Sequence, residues 1–235
     1  MQTQKASPKK QHSFPKYFFE KDAWAQNLLV CGIDEAGRGP LAGPVVVAAV
    51  ILPRDTTYKL LKDSKIMTEE EREQAYQWIT SHCLFSVAQA DHSQIDRINI
   101  YQSTLHAMRR AYIQLIGTIG SQFETLRYVV VDAMPVFMNE PYKHSNLDFH
   151  NFTFGETYSR SIAAASIVAK VTRDRLMKTT QKLFPAYAFG DHKGYATKEH
   201  IASIHQHGPS IVHRTSYLSN ILKNQQDHEH QNLLF

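Results

Sequence analysis

The chain has 235 residues, 43% of them hydrophobic and 20% charged, which describes one globular core with an appendage and excludes a disordered polyampholyte. Its formal charge is +4, from 26 basic and 22 acidic residues, and no apolar run approaches the roughly 20 residues of a membrane span. The first lysines have no apolar stretch behind them, so no secretory leader is expected, and two cysteines in apolar runs, Cys31 and Cys83, fit buried thiols in a reducing cytoplasm.

Residues 1–25, with two prolines, polar residues and lysines, read as a loosely ordered basic arm. Residues 1–30 hold five lysines against Glu20 and Asp22, a net +3, leaving +1 for the other 205 residues, so the overall charge says little about nucleic acid. Leu28–Asp34 and Val45–Leu52 are apolar and β-branched, as strands are. Thr68 with Glu71 forms a capping-box signature that starts a helix running to about Ile79. Leu84–Ala90 is a third strand. Ile98–Ile116 carries Leu105, Met108, Tyr112 and Leu115 at helical spacing, and Tyr128–Asp132 is a fourth strand. Ser161–Phe184 predicts a helix that opens on Ala163, Ala164 and Ala165, small enough for close packing, and that Pro185 ends. From Arg160 to Lys198, eight basic residues face Asp174 and Asp191, a net +6, which suits either a solvated helix face or a phosphate track. Thr197 caps a short helix closed by Gly208 and Pro209. There is no internal repeat. The fold class is α/β, a mixed sheet flanked by helices with a small C-terminal helical segment; the early strands lie too close together for helical crossovers, so part of the sheet is antiparallel.

The densest signal is GIDEAGRGPLAGP, Gly32–Pro44. Its glycine spacing differs from the dinucleotide fingerprint, no Gly-Lys-Ser/Thr follows, and the next element is a strand, so there is no helix N-terminus to receive a phosphate. What remains is Asp34 and Glu35 at the end of one apolar strand, Asp132 at the end of another, and Glu156 just after Gly155. Burying such carboxylates costs several kcal/mol each without a cation. Two acids closing two strands point to one rim of a sheet, and an oxygen-only cluster suits magnesium or manganese. Two such ions can activate water and steady the leaving oxygen of a phosphodiester. Neighbours in a strand face opposite ways, so either the strand ends by Glu35 or Glu35 acts partly through its carbonyl.

At these residues the chain resembles ribonuclease HII over about Val30 to Tyr217. The resemblance rests on GIDEAGRGPLAGPVVVAAVIL, LKDSK at Leu61–Lys65, IDRINIYQSTLHAM at Ile95–Met108, VVVDAM at Val129–Met134, SIAAASIVAKVTRDRLM at Ser161–Met177, HKGYAT at His192–Thr197 and HRTSY at His213–Tyr217. It implies a ribonuclease H-like catalytic domain over 26–185 with a helical segment and polar tail over 186–235; separately, a monomer is expected because no heptad or exposed apolar stripe asks for a partner. The implied activity is cutting the RNA strand of RNA–DNA hybrids and nicking DNA 5′ of embedded ribonucleotides. By position, Asp34, Glu35 and Asp132 match three of the family's four acids. Glu156 stands where the fourth is usually Asp, and Ala133-Met134 stand where Gly-Asn or Gly-Lys is common. The longer Glu could move a metal by about 1 Å and slow the chemistry; Asp148 has the wrong spacing to replace it.

The resemblance further implies that Gly37, Arg38 and Gly39 grip the ribonucleotide 2′-hydroxyl and its phosphates, that Tyr195 stacks on the next sugar, and that Lys65, Lys170 and Arg173 meet backbone phosphate. For Arg173, an ion pair with Asp174 or another acid is an equal contender. His200, His205 and His207 lack zinc spacing and read as structural or surface imidazoles; His228 and His230 in the polar tail are unassigned. Two alternatives are a ribonuclease HIII-like enzyme, against which the Arg38-Gly39-Pro40 turn and the short N-terminal segment argue, and a hybrid-binding protein with weakened catalysis.

Overall fold

The computed structural model describes residues 14–62, 64–136, 138, 141–153 and 155–222. Strands β1 (Leu29–Ala36), β2 (Val45–Ile51) and β3 (Leu84–Ala90) form an antiparallel meander. Strands β4 (Leu126–Asp132) and β5 (Asp148–Phe152) extend the other edge of β1 in parallel, in the order β3-β2-β1-β4-β5. The short β1–β2 connection permits only antiparallel pairing, whereas β4 follows a crossover helix, α3 (His92–Ile119). β2 is buried at every position, as a strand covered on both faces should be.

Local chemistry sets the helix starts. The capping box opens α2 (Glu69–His82): Thr68 Oγ1 accepts from the Glu71 N–H, and the Glu71 carboxylate accepts from the Thr68 N–H. α3 begins earlier than its apolar periodicity predicts because Asp91 caps it, and it breaks at Asn99, φ 67°, whose Oδ1 accepts from the Gln102 N–H. The expected helix from Ile98 is the part beyond this break.

Strand alternation sorts the core. Cys31 and Ile33 of β1 pack with Met108, Tyr112 and Leu115 of α3. On the opposite face lies α4 (Arg160–Leu183), where Ala164, Ala165 and Val168 meet Ala48 and Val50 of β2. The approach is unusually close: a Cβ on Gly32 would stand 2.0 Å from the Ser161 carbonyl carbon. Glycine on the strand and small residues on the helix thus bring the start of α4 against the β1 backbone.

The arm expected over residues 1–25 is corrected in its second half. Phe18–Ala25 form α1, with Phe19 and Ala23 fully buried against Val30, Tyr128, Val130 and Ile162. Its acid, Glu20, is only 1% exposed and accepts at Oε1 from Ser159 Oγ (2.6 Å) and the Ser161 N–H (2.9 Å). The lysine-rich composition hid an aromatic face that the sheet edge needed covered. Residues 1–13, the first half of the expected arm, and 223–235 lie outside the described residues.

After α4, helices α5 (Phe189–His192) and α6 (Lys198–His207) build a second small core around Phe189, Ile204 and Leu218. It includes Leu41 and Ala42 of the β1–β2 loop, which Ala42 joins to His213 through an antiparallel bridge. Cys31 is buried and Cys83 partly so; both thiols are free. Among the described residues no helix is long and apolar enough to cross a membrane.

Candidate active site

Parallel pairing brings the C-terminal ends of β1 and β4 side by side. Ile33 is level with Val131, so Asp34 and Asp132, one residue further along each strand, are neighbours at the sheet rim. β1 does not stop at Asp34, however: the ladder with β2 continues, Asp34 opposite Ala48, Glu35 opposite Val47 and Ala36 opposite Val46. The idea that the strand ends by Glu35 is therefore corrected. Asp34 and Glu35 nevertheless both line one cavity of about 450 Å³, at the point where the pairing of β1 with β4 has stopped at Ile33. Asp132, Gly37, Lys65, Lys170 and Tyr195 line the same cavity.

The electrostatics are those of buried carboxylates set close together and only partly compensated by cations. Burial pushes the Asp34 carboxyl well above the usual range, and Glu35 and Asp132 push it further. Glu35 is raised as well, chiefly by burial; Arg38, whose Nη1 lies 3.4 Å from Glu35 Oε1, works against the rise. Polar neighbours hold the carboxylates in place. Asp34 Oδ1 accepts from the Glu35 N–H (2.7 Å), Asp132 Oδ1 accepts from the Gly155 N–H (2.8 Å), and the Ser166 hydroxyl, in the same cavity wall, favours the charged form of Asp34. Glu35 Oε2 is buried with no hydrogen-bond partner.

A hard divalent cation fits this donor set: three carboxylates from two strand ends, an orphaned carboxylate oxygen, and two acids whose charged forms are disfavoured as they stand. Among the described residues no three such side chains are closed around a common point.

Other expected residues divide. Glu156 is half-buried in the 3₁₀ turn Gly155–Thr157, beside the glycine that holds Asp132, and its side chain does not line the cavity. Asp148 is at the far end of β5, opposite Tyr128 and ion-paired with Arg127 at 2.6 Å, so it is no substitute. Lys65 is exposed at the cavity edge; Asp63, from the same LKDSK stretch, is outside the described residues. Lys170, rather than Arg173, makes the ion pair with Asp174, at 2.9 Å. Arg173 as a direct phosphate contact is corrected: it is 1% exposed and donates to the Pro44 and Ala42 carbonyls (2.9 and 3.2 Å). The helical face it lies on is turned toward the glycine loop, not solvent. Tyr195, at 44% exposure, keeps an open ring in the cavity wall, and Gly39 is exposed nearby.

Three contributors escaped the sequence reading. Ser166, the last residue of SIAAAS, hides among apolar neighbours; its Oγ is 2.7 Å from Ser64 Oγ. Arg72 donates to the Ser64 and Met67 carbonyls and so shapes the turn carrying Lys65. Arg214 is fully buried beneath the glycine loop. Only Ser166 had a local signal, a hydroxyl within a helical face of small apolar residues.

The ribonuclease HII family model matches residues 31–220. A ribonuclease HII of Caldanaerobacter subterraneus subsp. tengcongensis is 41% identical over 208 residues, 88% of this chain and 81% of the relative. Among solved structures, ribonuclease H2 of Pyrococcus horikoshii superposes with a TM-score of 0.66 at 21% identity, covering 85% of this chain and 99% of that one. A ribonuclease HIII, Bst-RNase HIII, solved with Mn2+, gives 0.64 at 21% identity, over 86% of this chain and 71% of that one. At such identities these two structures speak to the fold, a ribonuclease H-like one; the family match and the close relative decide the rest. The chain belongs to the ribonuclease HII family and is a type HII ribonuclease H, an endonuclease of a class that depends on divalent metal ions.

Proposed function

We propose that this enzyme cuts the RNA strand of RNA–DNA hybrids and nicks duplex DNA on the 5′ side of an embedded ribonucleotide, leaving a 5′-phosphate and a 3′-hydroxyl. The observation that carries the reading is the side-by-side placement of Asp34 and Asp132 at the ends of parallel strands, next to the glycine loop. Asp34, Glu35 and Asp132, with Glu156 as the fourth carboxylate, would hold two magnesium or manganese ions. Bound there, such ions supply an activated water and charge stabilisation at the departing 3′-oxygen.

The chain's own groups do the binding and aiming. The Glu35 and Gly155 N–H groups fix the carboxylates of Asp34 and Asp132, so that their oxygens need little reorganisation. Lys65 and Lys170 place positive charge on the cavity wall for phosphates on either side of the scissile bond. Gly39 is exposed, and a Cβ there would meet only the Tyr195 ring at 3.9 Å, which leaves room for a ribose 2′-hydroxyl, whereas the absent Cβ of Gly37 makes room for Arg173 beneath the loop. Tyr195 presents a ring face to a neighbouring sugar.

A duplex carrying one ribonucleotide, incubated with magnesium and separately with manganese, tests this. Nicking 5′ of the ribonucleotide is expected with the wild type, and Asp34→Asn should lose at least about a thousandfold in rate while still binding the duplex. Turnover retained in Asp34→Asn overturns the assignment, and binding without nicking under both metals makes the chain a hybrid-binding protein instead.

A further inference from the structure

Two fully buried arginines lie under the β1–β2 loop, and neither is bonded to a carboxylate. Arg214, 0% exposed, donates through Nη2 to the Gly37 carbonyl (2.6 Å), through Nη1 to Arg38 (2.8 Å), and through Nε and Nη2 to Gly43 (3.0 and 2.9 Å). Arg173 takes the carbonyls of Ala42 and Pro44. Tyr217 Oη adds a bond to the Arg38 carbonyl at 3.2 Å. Among the described residues the backbone N–H groups of Arg38 and Gly39, outside the strands, donate to no backbone carbonyl. The tip of the loop is thus polarised: its carbonyls are held from below, and while Leu41 and Gly43 donate to the Gly194 and Val212 carbonyls (2.8 and 2.9 Å), the Arg38 and Gly39 amides are not used in this way. Burying a guanidinium without an anion costs several kcal/mol unless its donors are satisfied; carbonyl oxygens satisfy all three nitrogens of Arg214 and Nε and Nη2 of Arg173, whose Nη1 is buried without a partner. Burial lowers Arg173 to about 10, which leaves it charged at neutral pH. Its guanidinium also lies 5.8 Å from the ring centre of Tyr195, so one buried cation is shared between the loop and the exposed ring.

We propose that Arg214 and Arg173 are positioning residues for ribonucleotide recognition, pinning the carbonyls of Gly37–Pro44 inward so that the loop's amides face the oxygens of an RNA sugar-phosphate. The inference rests on the reading of that loop as the substrate-sensing element. Neither arginine touches substrate; each acts through backbone it holds. Asp96 completes the frame, accepting from the N–H and hydroxyl of both Thr215 and Ser216 and so anchoring the turn that follows Arg214.

The test uses the full chain in the Asp34→Asn background, so that binding is read without turnover. Affinity is measured for a duplex with one ribonucleotide and for the same duplex as DNA throughout, alongside the unfolding temperature. Arg214→Gln should cut the preference for the ribonucleotide by about tenfold, the scale of lost charge-assisted hydrogen bonds, with all-DNA affinity nearly unchanged. Arg214→Lys should recover part of the preference. Because Arg214→Gln is a core substitution, Tyr217→Phe serves as the gentler variant: it removes one bond to the Arg38 carbonyl and should cost about threefold in preference without lowering the unfolding temperature. An unchanged preference in folded Arg214→Gln, or in Tyr217→Phe where Arg214→Gln does not fold, overturns the proposal; so does an equal loss of affinity for both duplexes. If Asp34→Asn alone shows no preference, the reading of the loop as substrate-sensing falls first, and this inference with it.

Discussion

Ala133 follows the last acid of β4 with φ 53°, a backbone region that costs an L-residue about 1–2 kcal/mol and glycine almost nothing. The strain is held by the Ala133 N–H donating to the Phe152 carbonyl and the Met134 N–H to the Asp132 carbonyl (2.7 and 2.6 Å). The departure from glycine therefore keeps the turn's shape at a cost in stability. Ala133→Gly should raise the unfolding temperature by about 2–4 °C, the shift expected for ~1 kcal/mol in a domain of this size, with cleavage unchanged. A lower unfolding temperature would show that the turn does not need that conformation. Glu156 is the second departure. If it is the fourth carboxylate, Glu156→Gln should slow cleavage at least about tenfold at saturating metal, since positioning of charge is what it supplies. A neutral result in single-turnover kinetics would exclude it.

At the scale of elements, α1 and α4 are joined end to side by one buried acid. Glu20 puts negative charge at the N-terminus of α4, where the helix leaves its first N–H groups unpaired, and Ser159 Oγ both donates to Glu20 and accepts from the Ile162 N–H (3.2 Å). Since α4 carries Ser166 and Lys170 toward the cavity, this junction also sets the register of the active-site wall. Glu20→Ala should destabilise the protein by about 2–3 kcal/mol in urea unfolding, the cost of orphaning a charged cap and its two donors. A change under half a kcal/mol, about the noise of such measurements, would remove Glu20 from the frame.

Across the whole molecule, the C-terminal segment reaches the site through a buried imidazole pair. His200 Nδ1 donates to the Tyr195 carbonyl (2.8 Å), so its Nε2 accepts, and His213 Nε2 is the donor at 3.0 Å. His213 Nδ1 in turn accepts from the Ser210 N–H (2.9 Å), while the ring of His192 stacks on His200 at 4.3 Å. One proton serves the two facing nitrogens; a second would set N–H against N–H. Burial pushes both imidazoles down to about 4. Their unfolded value is near 6.5, so below it the unfolded chain binds protons that the folded one refuses, and stability falls as pH drops from about 6.5 toward 4. Protonation of Asp34 and Glu35, whose values are raised, works in the opposite direction over acid pH. The measurement is therefore a comparison: between pH 7 and pH 5, wild type should lose more stability than His213→Asn. Equal losses would mean the pair does not titrate with folding.

Residues close in sequence were legible without coordinates: the capping box at Thr68 and Glu71, the small-residue start of α4, the acids closing two apolar strands, and the motifs that carry the family resemblance. Each depends on interactions within a few residues or on a pattern of side-chain types. What the polypeptide order did not disclose were contacts between distant segments. Arg214 under a loop some 170 residues earlier, Glu20 capping α4, and Arg173 buried rather than facing phosphate all depend on which surfaces the sheet leaves uncovered. Charge and spacing mark a side chain as polar; only packing decides whether its partner is water, a substrate oxygen, or a carbonyl from the far end of the chain.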